Sequence, residues 1–190
     1  MKDLADASGA ISVEGRASLP PHPKLADHYE TESQRRARLS EGFGATARYY
    51  DRINALTSFG SDRSYRRRSL RIAGLGPGMR VLDVGCGTGM TAGLAREIVG
   101  RDGLVVGVDP SGEMLAVARE KGRVDQAAQG AAQQLPFPDD QFDFVTMTFA
   151  LRHVGDLRAT FREFRRVLKP EGRLLILEIS TPSAGWRFRL

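Results

Sequence analysis

The chain has very little cysteine, little histidine and no long apolar run. Cys86 is the only cysteine, so no disulfide can form within the chain, and the cytoplasm is the expected location. One cysteine and three scattered histidines argue against a metal site. No apolar run approaches the roughly 18 residues that a membrane-spanning helix needs. The first 15 residues contain acids and lack the apolar centre of a signal peptide.

The excess of positive charge is mild, with a net charge of +5. Nine Phe and four Tyr do not alternate with basic residues as a single-stranded nucleic acid site requires, so we expect no nucleic acid partner. Arginines do crowd one segment that is predicted to be helical, namely Arg63, Arg66, Arg67, Arg68 and Arg71. Two interpretations stay open, a solvated helix face or a surface that meets an anionic membrane or substrate.

Composition divides the chain into three parts. Residues 1–40 are polar and contain three closely spaced prolines, which predicts a flexible N-terminal arm. Residues 41–76 are predicted to form a helical N-terminal cap. Residues 77–190 alternate between apolar runs and helical patterns, which predicts an α/β domain with a doubly wound parallel sheet.

Within this domain, strands are predicted over 81–84, 104–109, 142–150 and 174–179. Helices are predicted over 91–99, after an N-cap at Ser111, and after an N-cap at Asp156. The last helix has apolar residues at helical spacing, and its buried face is predicted to comprise Leu157, Phe161, Phe164 and Leu168. The segment 169–173 is predicted to be a turn.

A glycine-rich segment, DVGCGTG, follows the first predicted strand and precedes a helix. Its glycines have the spacing G-x-G-x-G, and Met90 stands where the dinucleotide fingerprint requires another glycine. Asp109 ends the next strand, where a carboxylate can accept hydrogen bonds from both ribose hydroxyls. A free ribose without a pyrophosphate indicates S-adenosyl-L-methionine as the cofactor, and Asp83 can serve its cationic amino-acid end through water.

Two other residues of this segment have alternative interpretations. Thr88 either hydrogen-bonds the methionine portion of the cofactor or caps the following helix. Cys86 is interpreted as a small buried residue rather than a nucleophile, because no base lies near it in the sequence.

The sequence resembles the class I methyltransferases and, more narrowly, the ubiquinone/menaquinone-biosynthesis C-methyltransferase family. The resemblance lies in NALTSFG, LDVGCGTG, GVDPSGEML, LPFPDDQFDFVTMTFALRHV and EFRRVLKPEGRLLILEIS, and it covers residues 43–182. It implies a Rossmann-like sheet with N-terminal helices. Because the chain ends soon after residue 179, the resemblance also implies a C-terminally shortened member without the final antiparallel strands.

The same resemblance implies a set of cofactor-binding residues. The methionine end would lie against the glycine loop, the ribose on Asp109, and the adenine beside Ala131 and Ala132. Thr148 would lie next to the cofactor. The full predicted set is Asp83, Gly85, Gly87, Thr88, Gly89, Asp109, Ala131, Ala132 and Thr148. The family usually has an acid or Asn at position 131, and Ala there loses one hydrogen bond to the adenine amine, at a cost of about 1 kcal/mol.

Arg152 and His153 are the predicted catalytic residues. Arg152 would stabilise the phenolate of a quinol acceptor, and His153 would take the proton that the phenol loses. The alternatives are a structural ion pair for Arg152 and a packing role at a helix entry for His153. The family usually has Asn at position 153.

The resemblance therefore implies methyl transfer to a ring carbon of a prenylated quinol. Two alternatives stay open, a methyltransferase for a phospholipid or another small metabolite, and a shortened paralogue that binds the cofactor without catalysis. The expected partner is a small or lipid-like acceptor. A peripheral membrane contact and a homo-oligomer stay open.

Overall fold

The computed structural model describes Leu19, Asp51 and residues 61–178. Apart from Leu19 and Asp51, the predicted flexible arm and most of the predicted cap lie outside these residues, as does the last residue of the fourth predicted strand. No helix in the described part of the chain is long and apolar enough to cross a bilayer.

The described residues form a fully parallel, five-stranded sheet in the order β3-β2-β1-β4-β5. The strands are β1 (Arg80–Val84), β2 (Leu104–Asp109), β3 (Gln126–Gln129), β4 (Phe142–Thr148) and β5 (Leu168–Leu177). The helices are α1 (Ser61–Ile72), α2 (Met90–Val99), α3 (Gly112–Glu120) and α4 (Leu157–Val167). The strand order turns back between β1 and β4, the place where open α/β sheets bind their ligands. The predicted Rossmann-like α/β fold is thereby confirmed.

Both predicted helix caps are present. The Ser111 hydroxyl accepts a hydrogen bond from the amide of Met114 at the start of α3. The Asp156 carboxylate accepts from the amides of Arg158 and Ala159 at the start of α4. These side chains satisfy amides that have no partner within the first helical turn.

Two apolar clusters cover the two faces of the sheet. One contains Leu70 of α1, residues of α2 and α3, and Val81 of β1. The other contains Phe164 of α4 together with Leu82 and Val84 of β1. Since side chains alternate along a strand, Asp83 faces the same side as Val81, toward α1 and α2. This alternation brings a carboxylate into an otherwise apolar layer.

Three details differ from the sequence predictions. β3 is not predicted from the sequence, because its residues, QAAQ, form a short edge strand with polar ends. Phe161 is 39% exposed, so the buried face of α4 is narrower than predicted. β5 begins at Leu168 instead of after a turn, and its pairing with β4 is irregular between Phe142 and Phe144.

Candidate active site

The glycine loop connects the end of β1 to α2. Gly85, Gly87 and Gly89 have φ values of 67°, 55° and 78°, in the left-handed region that favours glycine. A Cβ on Gly85 would lie 2.7 Å from the Cβ of Ala150, whereas a Cβ on Gly87 would meet nothing within 4 Å. The loop therefore leaves bare main chain next to open space, as the sequence predicts for a ligand that lies against it.

Asp109 is held against this loop at the end of β2. Its Oδ2 accepts from the amide of Gly87 at 2.8 Å, and its Oδ1 accepts from the amide of Ser111 at 2.9 Å. Burial raises the pKa of this carboxyl, although the two amides oppose the rise. Each carboxylate oxygen has a further lone pair, so the two oxygens can still accept hydrogen bonds from a pair of neighbouring hydroxyls.

Asp83 is 1% exposed, and within the described part of the chain neither of its carboxylate oxygens has a hydrogen-bond partner. Burial is the main cause that raises its pKa to about 7; the negative charge of Asp109 contributes to the rise, and Arg66 and the Ala92 amide oppose it. Thr146, its register partner on β4, also has a buried hydroxyl without a partner among the described residues. Buried polar groups usually have partners, so this pair is an unusual polar feature of an apolar layer and marks a candidate functional position.

Thr148 ends β4 and belongs to a buried cluster on the α1 side of the sheet. Its Oγ1 accepts a hydrogen bond from Nη1 of Arg66 at 2.9 Å and lies 2.8 Å from Oγ1 of Thr91. The Arg66 guanidinium lies 4.6 Å from the ring centroid of Phe149, whose φ is 56°. Strained residues cluster at functional sites, and this one directly follows a predicted cofactor residue.

The Arg66 contacts were not predicted. The segment of arginines suggested a solvated face or an anionic surface, and Arg63, Arg68 and Arg71 are indeed exposed, but Arg66 is buried. The sequence contains one indication that Arg66 differs from its neighbours: it lies four residues after Asp62, with which it forms an ion pair.

Thr88 contacts the N-terminal part of the chain. Its hydroxyl donates to Oδ1 of Asp51 at 2.6 Å, and the other oxygen of Asp51 contacts Lys121 and Arg123. The residue at the N-cap of α2 is Gly89, so the capping alternative for Thr88 is wrong. Its predicted contact with the methionine portion stays a prediction, and the sequence did not indicate Asp51.

The predicted adenine neighbours follow β3. Ala131 forms an isolated bridge with Gln134, and Ala132 packs against the apolar cluster on the α4 side. Gln129 at the end of β3 is the register partner of Asp109, so both alanines lie beyond the same edge of the sheet as the Asp109 carboxylate. Their role beside the adenine stays a prediction.

Arg152 and His153 lie in a short 3₁₀ turn (Leu151–His153) after β4. Arg152 forms an ion pair with Glu178 at 3.3 Å and donates to the carbonyl of Phe149. The half-buried His153 donates its amide to the carbonyl of Ala150. Glu178 is thus the partner that a structural ion pair of Arg152 requires. The catalytic roles of both residues stay predictions.

Cys86 lies within the loop but is not placed for nucleophilic chemistry. Burial holds its pKa well above the usual value, and the negative charges of Asp83 and Asp109 raise it further. The thiol packs against Gly107 of β2, where a Cβ would lie 2.8 Å from the sulfur. This agrees with the prediction of a small buried residue.

The site fits the cofactor that the sequence predicts. The loop offers bare main chain, and Asp109 offers two acceptors for a ribose diol. The buried carboxylate of Asp83, near the end of β1, can attract a cationic group by its charge. The third glycine of the dinucleotide fingerprint G-x-G-x-x-G is absent, because Met90 stands at its position.

Comparisons with known proteins agree with this geometry. Residues 30–186 match the model of the ubiE/COQ5 methyltransferase family. The "Ubiquinone/menaquinone biosynthesis C-methyltransferase UbiE" of Shewanella sp. (strain W3-18-1) is 42% identical over 162 residues, which cover 81% of this chain and 64% of that protein. The protein of the same name from Vibrio vulnificus (strain YJ016) is 42% identical over 181 residues, covering 90% of this chain and 69% of that one. The chain thus spans less than two thirds of the length of the Shewanella relative.

Solved structures share the fold. A SAM dependent methyltransferase from Aquifex aeolicus is 28% identical with a TM-score of 0.56, covering 63% of this chain and 68% of that chain. The [4+2]-cyclase SpnF is 31% identical with a TM-score of 0.56, covering 65% and 47%. A protein described as a cyclase has the same fold, so the fold alone does not specify the reaction.

Proposed function

Because this chain belongs to the ubiE/COQ5 methyltransferase family, we propose that it transfers a methyl group from S-adenosyl-L-methionine to a ring carbon of a prenylated quinol. The observation that carries the proposal is 42% identity to C-methyltransferases of ubiquinone and menaquinone biosynthesis over 81% of this chain. The glycine loop and the carboxylate of Asp109 support the cofactor independently, since they suit a ribose without a pyrophosphate.

S-adenosyl-L-methionine supplies a methyl group that is already activated by a positively charged sulfur. The chain then has to hold the nucleoside and keep the acceptor carbon in line with that methyl group. Asp109 would hold the ribose, the segment at Ala131 and Ala132 would contact the adenine, and Asp83 would balance the cationic amino-acid end. Thr148 would contact the cofactor from the end of β4.

The acceptor has to be made nucleophilic. A phenol that loses its proton gives electron density to the neighbouring ring carbon, and this favours attack on the methyl group. His153 would take the proton, and Arg152 would stabilise the phenolate by its charge. The ion pair with Glu178 holds the Arg152 side chain beyond the ends of β4 and β5.

Methyl transfer is tested directly with the purified chain. The chain is incubated with S-adenosyl-L-methionine labelled in the methyl group and with a panel of demethylated prenyl quinols and aminolipids. The proposal predicts label in the quinols, on carbon, and none after Asp109→Ala. Cofactor binding without any transfer would instead support the non-catalytic alternative, and transfer to aminolipids alone would support the lipid alternative.

We also propose that the exposed face of α1 contacts an anionic membrane that holds the lipid-like acceptor. Arg63 and Arg67 pair with Glu97, whereas Arg68 and Arg71 have no partner in the described residues. Tyr65 is 57% exposed and Ile72 is 75% exposed on the same helix. The proposal predicts that the chain sediments with anionic vesicles and that the double variant Arg68→Gln, Arg71→Gln does not; equal sedimentation would contradict it.

A further inference from the structure

The guanidinium of Arg66 has unused hydrogen-bond donors although its side chain is only 8% exposed. A guanidinium carries five N–H groups. The one on Nε is shared by the two carboxylate oxygens of Asp62, each at 2.8 Å. The two on Nη1 donate to Thr91 Oγ1 at 2.7 Å and to Thr148 Oγ1 at 2.9 Å. Nη2 has no acceptor in the described part of the chain.

An unpaired donor on a nearly buried cation is costly, and an anionic acceptor removes that cost most effectively. Among the described residues, the side-chain polar atoms that are sealed from solvent and have no partner are the two Asp83 oxygens and the Thr146 hydroxyl. Nη2 of Arg66 is not one of them, so it is accessible to solvent. A ligand can therefore reach Nη2, and the chemistry of a guanidinium favours a carboxylate.

The location of Arg66 narrows the ligand. Its partner Thr148 lies two residues beyond Thr146, and Thr146 is the register partner of Asp83. Arg66 therefore lies where β1 and β4 end, close enough to Asp83 for its charge to lower the pKa of that carboxyl. Asp109, with its acceptors for a ribose, ends β2 on the other side of β1.

Two unsatisfied groups of opposite charge thus lie together at one end of the candidate site. Asp83 is sealed from solvent, so its carboxylate can favour a nearby ammonium group by its charge, whereas Nη2 of Arg66 can bind a carboxylate directly. An ammonium and a carboxylate on neighbouring atoms are the defining groups of an α-amino acid. The signs of the two charges, and their place next to the strand that carries Asp109, therefore suit the amino-acid end of a nucleoside whose ribose is on Asp109.

We propose that Arg66 binds the carboxylate of the amino-acid portion of the cofactor through Nη2, while Thr91 and Thr148 hold the guanidinium in place. This inference rests on the proposed function, because it requires that S-adenosyl-L-methionine is the cofactor. It assigns a specificity role to a residue of α1, outside the glycine loop and the strand ends where the sequence placed the site.

The test compares two ligands by calorimetry. S-adenosylhomocysteine carries the carboxylate, and its decarboxylated analogue, S-adenosyl-3-thiopropylamine, lacks only that group. We expect Arg66→Gln to weaken binding of S-adenosylhomocysteine about ten- to hundredfold and to leave the affinity for the analogue nearly unchanged. Arg67→Gln is the matched control, since Arg67 is the next residue of α1 and pairs with Glu97 on the surface; it should keep the wild-type preference.

Each outcome decides between explanations. Equal loss of affinity for both ligands in Arg66→Gln would mean a purely structural role and would overturn the inference, as would an unchanged preference for the carboxylate. If Arg66→Gln does not fold, Arg66→Met decides, because it keeps most of the apolar length and removes the charge: a reduced preference supports the inference, and a full preference overturns it. Failure of the wild-type chain to bind S-adenosylhomocysteine at all would refute the proposed cofactor, and the inference with it.

Discussion

Asp83→Asn replaces a buried carboxylate with an amide of nearly the same shape, and it should make the stability of the chain less dependent on pH. In the folded chain, burial raises the pKa of Asp83 from an ordinary 3.8 to about 7. Between these two values the unfolded chain loses this proton and the folded chain keeps it. The free energy of unfolding therefore falls as the pH rises through this window.

The size of the effect follows from the pKa difference. A shift of about 3 pKa units corresponds to about 4 kcal/mol, of which about 3 kcal/mol falls between pH 5 and pH 8. Domains are typically stable by only about 5–15 kcal/mol, so this change is readily measurable. An amide does not titrate, and Asp83→Asn should lack this contribution at every pH.

Urea unfolding of both proteins at pH 5 and at pH 8 measures the effect. We expect Asp83→Asn to gain about 3 kcal/mol relative to the wild type between the two pH values. Asp143→Asn is the control: although partial burial raises the pKa of Asp143, its hydrogen bonds from Lys169 and the Arg80 amide hold it below the ordinary value. The Asp143 carboxyl therefore loses its contribution to stability only under more acidic conditions. The free energy of unfolding of Asp143→Asn should differ from that of the wild type by the same amount at pH 5 and pH 8. A pH-independent difference for Asp83→Asn as well would refute the reasoning.

Two further predictions concern the loop before β4 and the proposed base. Arg166 donates to the carbonyls of Leu135 and Phe137, so Arg166→Gln should lower the free energy of unfolding, measured in urea, by about 2 kcal/mol. The control is Arg165→Gln at the exposed neighbouring position, which should change it by less than about 0.5 kcal/mol. Equal effects of the two substitutions would contradict the role of Arg166. His153→Ala should lower kcat on a demethylated quinol at saturating substrate without weakening cofactor binding, because the phenol proton loses its acceptor; full turnover would reject the base hypothesis.

The sequence predicted most of the sheet, because buried parallel strands are continuous apolar runs. β1 and β2 stand out for this reason, and the caps at Ser111 and Asp156 have the residue types that helix starts require. β3 could not be recognised in this way, because a short edge strand needs little apolar surface. Its formation depends on pairing with β2, which is a tertiary contact.

The candidate site was predictable only in part, for a similar reason. The glycine loop and Asp109 are local patterns at strand ends, and the structure places them in contact through the Gly87 amide. Arg66 and Asp51 act across long separations in sequence, and a single sequence contains no mark of such contacts. The sequence pattern does not distinguish Arg66 from the neighbouring arginines, because helical position alone does not show that α1 packs over Thr91 and Thr148.

The proposed chemistry requires a nucleoside whose ribose is bound by Asp109 beside the glycine loop. Calorimetry with S-adenosylhomocysteine on the wild-type chain, Asp109→Ala and the exposed loop variant Asp102→Ala tests this most directly, with the Tm of each protein as the control for folding. The account predicts binding by the wild type and by Asp102→Ala, and no detectable binding by a folded Asp109→Ala. Unchanged affinity in Asp109→Ala would contradict it.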